Sequence, residues 1–135
     1  MKKILLVEDD PLIYRMYQKA FGLAGFETEI AENGQAGLDI LATFHPDIIL
    51  LDIMMPTMNG VEMLDKLKAE PTTQAIPVVV LTNMSEAQVT SQVFAKGASL
   101  TIVKSETDPD QVIAWINSVL DKAPQPEVSP ESQAI

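Results

Sequence analysis

Apolar residues along this chain follow two patterns that alternate. The first is a short unbroken run of branched aliphatics: ILLV at 4–7, IILL at 48–51 and VVVL at 78–81. Strands without polar alternation bury both faces, as in a parallel sheet covered on each side. The stretch Phe26-Glu27-Thr28-Glu29-Ile30 alternates instead and carries two acids, the look of an edge strand protected against further pairing. LTIV at 100–103 supplies a fifth, shorter run.

The second pattern has helical period, and its ends are readable. Asp10 caps a helix with Pro11 in its first turn, and Leu12, Ile13, Met16, Tyr17, Ala20 and Phe21 form its expected buried stripe. Gly25 fits the turn that follows. Asn33 starts a second helix that buries Ala36, Ile40, Leu41 and Phe44 and stops before Pro46. Asn59 starts a third, with Val61, Leu64 and Leu67 inward and Pro71 beyond its end. Ser85 with Gln88 reads as a capping box for a fourth, which stops near Gly97. Asp108 and Pro109 open the fifth, whose stripe is Val112, Ile113, Ile116, Val119 and Leu120. Trp115 lies at the flank of that stripe and is read as core packing, while Tyr14 and Tyr17 take packing and surface roles.

Five strands alternating with five helices are βα units, which predicts an α/β fold with helices on both faces of a parallel sheet. The polar second strand fits an outer place, as in the doubly wound, flavodoxin-like order 2-1-3-4-5. Ligands of such sheets bind at the carboxyl ends of the strands where the order reverses, here between the first and third.

Composition narrows the chemistry. A chain of 135 residues, 47% hydrophobic and 21% charged, suits one globular domain, expected over residues 1–122. The stretch APQPEVSPESQAI at 123–135 has three prolines and almost nothing to bury, so it is predicted to be a disordered tail or linker. With no cysteine there is no disulfide, thiolate site or cysteine nucleophile, and one histidine cannot build a histidine-rich metal site. That histidine, His45, closes the second helix, where its imidazole suits the dipole. The start MKKILLV has too short an apolar run for a secretory signal, and no stretch reaches transmembrane length, so a cytoplasmic place is expected. A net charge of −10 argues against direct binding to nucleic acid.

The fold then gathers distant polar residues. Strand one ends in Glu8 and Asp9, strand three in Asp52, strand four in Thr82 and strand five in Lys104. Three carboxylates at one edge repel by roughly 4 kcal/mol per pair at ~4 Å and an effective dielectric of ~20. A divalent cation relieves this, and oxygen-only ligands select a hard one, Mg²⁺ or Mn²⁺. An aspartate beside such an ion can serve as a nucleophile toward phosphorus, and Lys104 and Thr82 offer the charge and hydroxyl that phosphoryl oxygens require.

These residues resemble a known family. V-E-D-D-P at 7–11, LLDIMMPTMNG at 50–60, VVVLT at 78–82 and V-K at 103–104 stand in the order found in the receiver domain of two-component response regulators. The likeness covers residues 2 to about 122. It implies a phosphorylation-controlled signalling module rather than an enzyme, with Asp52 taking a phosphoryl group from a sensor histidine kinase or phosphotransfer protein. It implies Mg²⁺ held by Asp9, Asp52 and the Met54 backbone carbonyl, Glu8 acting through water, and Thr82 and Lys104 on the phosphoryl oxygens. It further implies that the fourth helix, fifth strand and fifth helix pass the change to a downstream protein, and it admits a dimer through that face.

Departures from the family pattern carry their own expectations. Thr101 stands where the family often has Tyr or Phe as a rotating switch, Ser105 where it has proline after the lysine, and Asn83 where it has Ala or Gly. Met54 and Met84 occupy positions that tune hydrolysis in the family, and apolar side chains there orient water poorly, so slow self-dephosphorylation is expected. Met54, Met55 and Met58 are otherwise read as loop packing around the acidic pocket. Two other functions compete. A receiver-like binding module could signal without phosphorylation. An aspartyl-phosphate hydrolase uses the same strand-end Asp, but usually wants a second acid where this chain has Met54. Neither a dinucleotide-binding glycine motif nor a Walker loop occurs.

Overall fold

The computed structural model describes residues 2–52, 60–82, 97–103 and 108–122. In chain order it holds β1 (Lys3–Val7), α1 (Pro11–Leu23), β2 (Glu27–Ala31), α2 (Gly34–Ile40), β3 (Ile48–Asp52), α3 (Gly60–Ala69), β4 (Val78–Thr82), β5 (Leu100–Val103) and a helix at Pro109–Lys122. The expected fourth helix, the Val61 side chain and the segment after residue 122 lie outside the described residues. All strand pairs are parallel, and the order is β2-β1-β3-β4-β5.

The unbroken aliphatic runs are explained by the pleat, since successive side chains point to opposite faces. Ile4, Leu6, Ile48, Leu50, Val79 and Leu81 join Tyr17 and Phe21 of α1 and Val112 and Ile116 of the 109–122 helix in one core. Leu5, Val7, Ile49, Leu51, Val78 and Val80 join Met63, Leu64 and Leu67 of α3 in the other, with Ala36, Leu38 and Ile40 of α2 packed against it. β1, β3 and β4 thus feed both cores, and each fully buried aliphatic stabilises the fold by about 1.5–3 kcal/mol.

Helix starts follow the polar punctuation. The Asp10 carboxylate accepts from the Leu12 amide at 3.0 Å and Asn33 from Ala36 at 2.8 Å, capping α1 and α2. Asp108 accepts from the Gln111 amide at 2.9 Å at the start of the last helix. Gly25, at φ +93°, makes the left-handed turn out of α1. At the far end of α3 the Lys68 ammonium donates to the carbonyls of Gln74 and Ile76, both at 3.0 Å, and burial pulls its pKa down.

Two packing expectations are corrected. Leu12 and Met16 of α1 are exposed, not buried. Six apolar positions cover about half of a helix circumference, more than one sheet face can bury. The aromatic side prevails: Tyr17 stacks on Phe21 with centroids 5.4 Å apart, and Phe21 meets Phe26 edge-on at 6.3 Å. Trp115, expected in the core, is 36% exposed, because the side chains of Val112 and Ile116 already define the buried line of its helix.

Two substitutions test this packing. The Thr28 hydroxyl is buried with no hydrogen-bond partner among the described residues, on a residue paired with Ile4. Thr28→Val should therefore stabilise the protein by about 1 kcal/mol in a denaturant titration. Gly37 lies where α2 meets β1 and α3, and a Cβ there would sit 2.7 Å from Met63 Cε and 3.2 Å from Val7 Cγ2. Gly37→Ala should destabilise by about 1–2 kcal/mol, the overlap outweighing the helix propensity gained. Gly22, which has nothing within 4 Å of that position, is the control that should not lose stability.

Candidate functional site

The site grows out of the β1–β3 pairing at the point where strand order reverses. Val7 lies level with Leu51, and the Glu8 amide donates to the Ala31 carbonyl at 2.9 Å, carrying the β1–β2 ladder one residue further. Glu8 follows Ile4 and Leu6 in phase, and Asp52 follows Ile48 and Leu50, so both acids emerge on the α1 side of the sheet. Glu8 is fully buried and Asp52 is 3% exposed, while Asp9 is half-buried.

Their carboxylate oxygens converge: one from each of Glu8, Asp9 and Asp52 lies within 4.8 Å of the others. The loop that holds them is fixed by hydrogen bonds. The Asp10 amide donates to Glu8 Oε2 at 3.2 Å, and the Asp10 carboxylate is turned to the helix cap. Asp9 thus belongs to the acidic cluster and Asp10 to the helix, as the capping pattern predicts. Sequence reasoning also missed a link at the same edge of the sheet. The Tyr14 hydroxyl of α1 donates to Glu32, just after β2, at 3.0 Å. The accepting carboxylate holds the Tyr14 pKa above its usual value. Periodicity reports what a helix buries and is silent on such a contact.

The donor set suits a hard divalent cation. Among the described residues it consists of oxygen atoms alone, and it is compact enough for one ion to reach all three residues. Asp52 lies level with Leu81, so Thr82 ends β4 one step beyond it. Val103 is paired with Thr82, which brings the end of β5 to the same edge. The Thr82 side chain, Lys104 and the Met54 carbonyl, all assigned to the site by sequence, lie outside what the structure describes. No described helix is long and apolar enough to cross a membrane.

Comparison with known proteins agrees with this geometry. A family profile described as the response regulator receiver domain matches residues 4–117. Regulatory protein AtoC of Escherichia coli K12 is 36% identical over 104 residues, which are 77% of this chain and 22% of that protein. The phosphate regulon transcriptional regulatory protein PhoB of Pseudomonas aeruginosa is 35% identical over 119 residues, covering 88% of this chain and 52% of PhoB. The chain therefore spans about half, or less, of the length of these relatives. Among solved structures, a CheY-like receiver domain protein from Methanospirillum hungatei superposes with a TM-score of 0.85 at 26% identity, covering 93% of this chain and 98% of that one. Chemotaxis protein CheY4 of Vibrio cholerae superposes at 0.83 and 27% identity, covering 88% and 98%.

Proposed function

The chain belongs to the response regulator receiver domain family, and from that premise we propose that Asp52 is its phosphoacceptor in a phosphorelay. The observation that carries this reading is the buried convergence of Glu8, Asp9 and Asp52 at the carboxyl edge of the sheet. An Asp52 carboxylate oxygen attacks the phosphorus of a phosphohistidine. The new O–P bond forms as the N–P bond breaks, and the departing imidazole takes up a proton. Glu8, Asp9 and the Met54 carbonyl, with Asp52 itself, are the residues that would hold Mg²⁺ or Mn²⁺. Such an ion supplies positive charge against the phosphoryl oxygens and relieves the repulsion among the carboxylates. Lys104 and the Thr82 hydroxyl contact those oxygens from the ends of β5 and β4.

The donor is a sensor histidine kinase or phosphotransfer protein in the cytoplasm. The altered face reaches its downstream protein through the fourth helix, β5 and the 109–122 helix. The chain catalyses only its own phosphoryl transfer and loss.

Incubating the protein with Mg²⁺ and a small acyl phosphate, then measuring intact mass, should reveal one added phosphoryl group. No adduct would favour a binding module that works without phosphorylation, and turnover of simple phosphoesters would favour a hydrolase. The phospho-form should last minutes or longer, and Met84→Glu should shorten it in the same assay. A lifetime of seconds would refute slow self-dephosphorylation.

A further inference from the structure

Among the described residues, the Lys68 ammonium near the end of α3 is held by neutral groups rather than by a carboxylate. It donates to the carbonyls of Gln74 and Ile76, both at 3.0 Å. An ammonium has three N–H donors, so these two carbonyls leave one proton that they do not hold. The methylene stem is seated as well. Gly97, at φ +104° shortly before β5, faces it so closely that a Cβ there would come within 3.1–3.2 Å of Cγ, Cδ and Cε. The Thr73 hydroxyl donates to the Leu67 carbonyl at 2.7 Å, which ties the segment supplying both acceptors back to α3. This seat lies where β4 and β5 begin, at the edge of the sheet opposite the acidic cluster.

We propose that Lys68 Nζ is an acylation site, taking a small acyl group from an activated donor, either an acyl phosphate or an acyl thioester. The hydrogen bonds supply the reason. Loss of the third proton costs neither bond, because a neutral amine keeps two N–H groups for the two carbonyls. The lone pair then stands where that proton was, directed away from both acceptors. Burial adds to this by lowering the pKa, so a larger share of the amine is neutral and nucleophilic than in an exposed lysine. The lone pair forms a bond to the acyl carbon, and the bond from that carbon to the phosphate oxygen or the thiol sulfur breaks. The leaving group departs with that electron pair, and the nitrogen gives its extra proton to water. The amide product carries no charge and one N–H. It serves only one of the Gln74 and Ile76 carbonyls, so acylation opens half of the latch. The assignment does not involve Asp52 and stands apart from phosphoryl transfer there.

The test treats the full chain, in chelator, with acetyl phosphate and in parallel with an acetyl thioester, and follows each lysine by peptide mass spectrometry. Lys66 is the internal reference, exposed and two residues earlier on the same helix. Lys68 should be acetylated about fivefold faster than Lys66 by at least one of the donors, which identifies the source. In urea that preference should vanish, because the seat exists only in the folded chain. Gly97→Ala should weaken it in the folded protein, since the added methyl displaces the stem. Acetylation should lower the melting temperature by roughly 3–6 °C, the effect of one hydrogen bond lost from a charged donor. Lys68→Arg keeps donors for the carbonyls and offers no amine, so the same treatment should leave its melting temperature in place. Equal rates at the two lysines, faster reaction at Lys66, or a preference that survives urea would overturn the inference. So would a drop in melting temperature of the same size in Lys68→Arg.

Discussion

Asp52→Asn should abolish phosphoryl uptake and, in the same protein, raise the melting temperature measured without metal. The two effects have one origin. Asp52 is almost wholly buried, and its carboxylate shares a space less than 4.8 Å across with oxygens of Glu8 and Asp9. Each such pair repels by roughly 4 kcal/mol at ~4 Å when the effective dielectric is ~20. Asparagine keeps the shape and removes the charge, so a net gain of about 1–2 kcal/mol is expected, or roughly 3–8 °C for a domain of this size. The amide is no nucleophile, so the mass adduct should fall by at least ~10³-fold. Asp10→Asn is the matched control. Its carboxylate serves the cap of α1, and asparagine caps as well as aspartate, so uptake should persist. Retained uptake in Asp52→Asn would remove that residue as the acceptor, and a lowered melting temperature would show that repulsion is not what dominates there.

The second large effect is stabilisation by divalent metal. A ligand that binds only the folded state stabilises it by about 2.7 kcal/mol when present at a hundred times its dissociation constant. Thermal melts in Mg²⁺ should therefore shift upward by roughly 8–13 °C and return on chelation. Asp9→Asn and Asp52→Asn should each lose most of this increment, while Asp10→Asn keeps it. Equal shifts in all four proteins would mean that the ion stabilises through general screening. An unshifted wild type would mean that the cluster binds no metal.

Much of this was legible before any coordinates. Uninterrupted aliphatic runs mark strands that are buried on both faces, and the two acids on Phe26–Ile30 marked the edge of the sheet. From these the order β2-β1-β3-β4-β5 follows, and with it the meeting of Glu8, Asp9 and Asp52 from distant parts of the chain. What escaped were matters of degree and of partner. Hydrophobicity identified six candidates for the buried stripe of α1 but could not say that bulky Tyr17 and Phe21 would displace Leu12 and Met16 into solvent. The bond between Tyr14 and Glu32 joins residues 18 apart with no shared periodicity, so only the folded backbone brings it into view.

The division of β1, β3 and β4 between two cores has a bearing on errors of assembly. A slip of one residue in the pairing of β3 would send Ile48 and Leu50 to the α3 side and Ile49 and Leu51 to the α1 side, exchanging every contact in the middle of the sheet. The same slip would carry Asp52 to the face opposite Glu8. Misregistered chains would thus forfeit their packing and their acidic cluster together. Hydrocarbon alone proofreads the placement of the carboxylates, and a stable chain with its acids on the wrong face is not an available state.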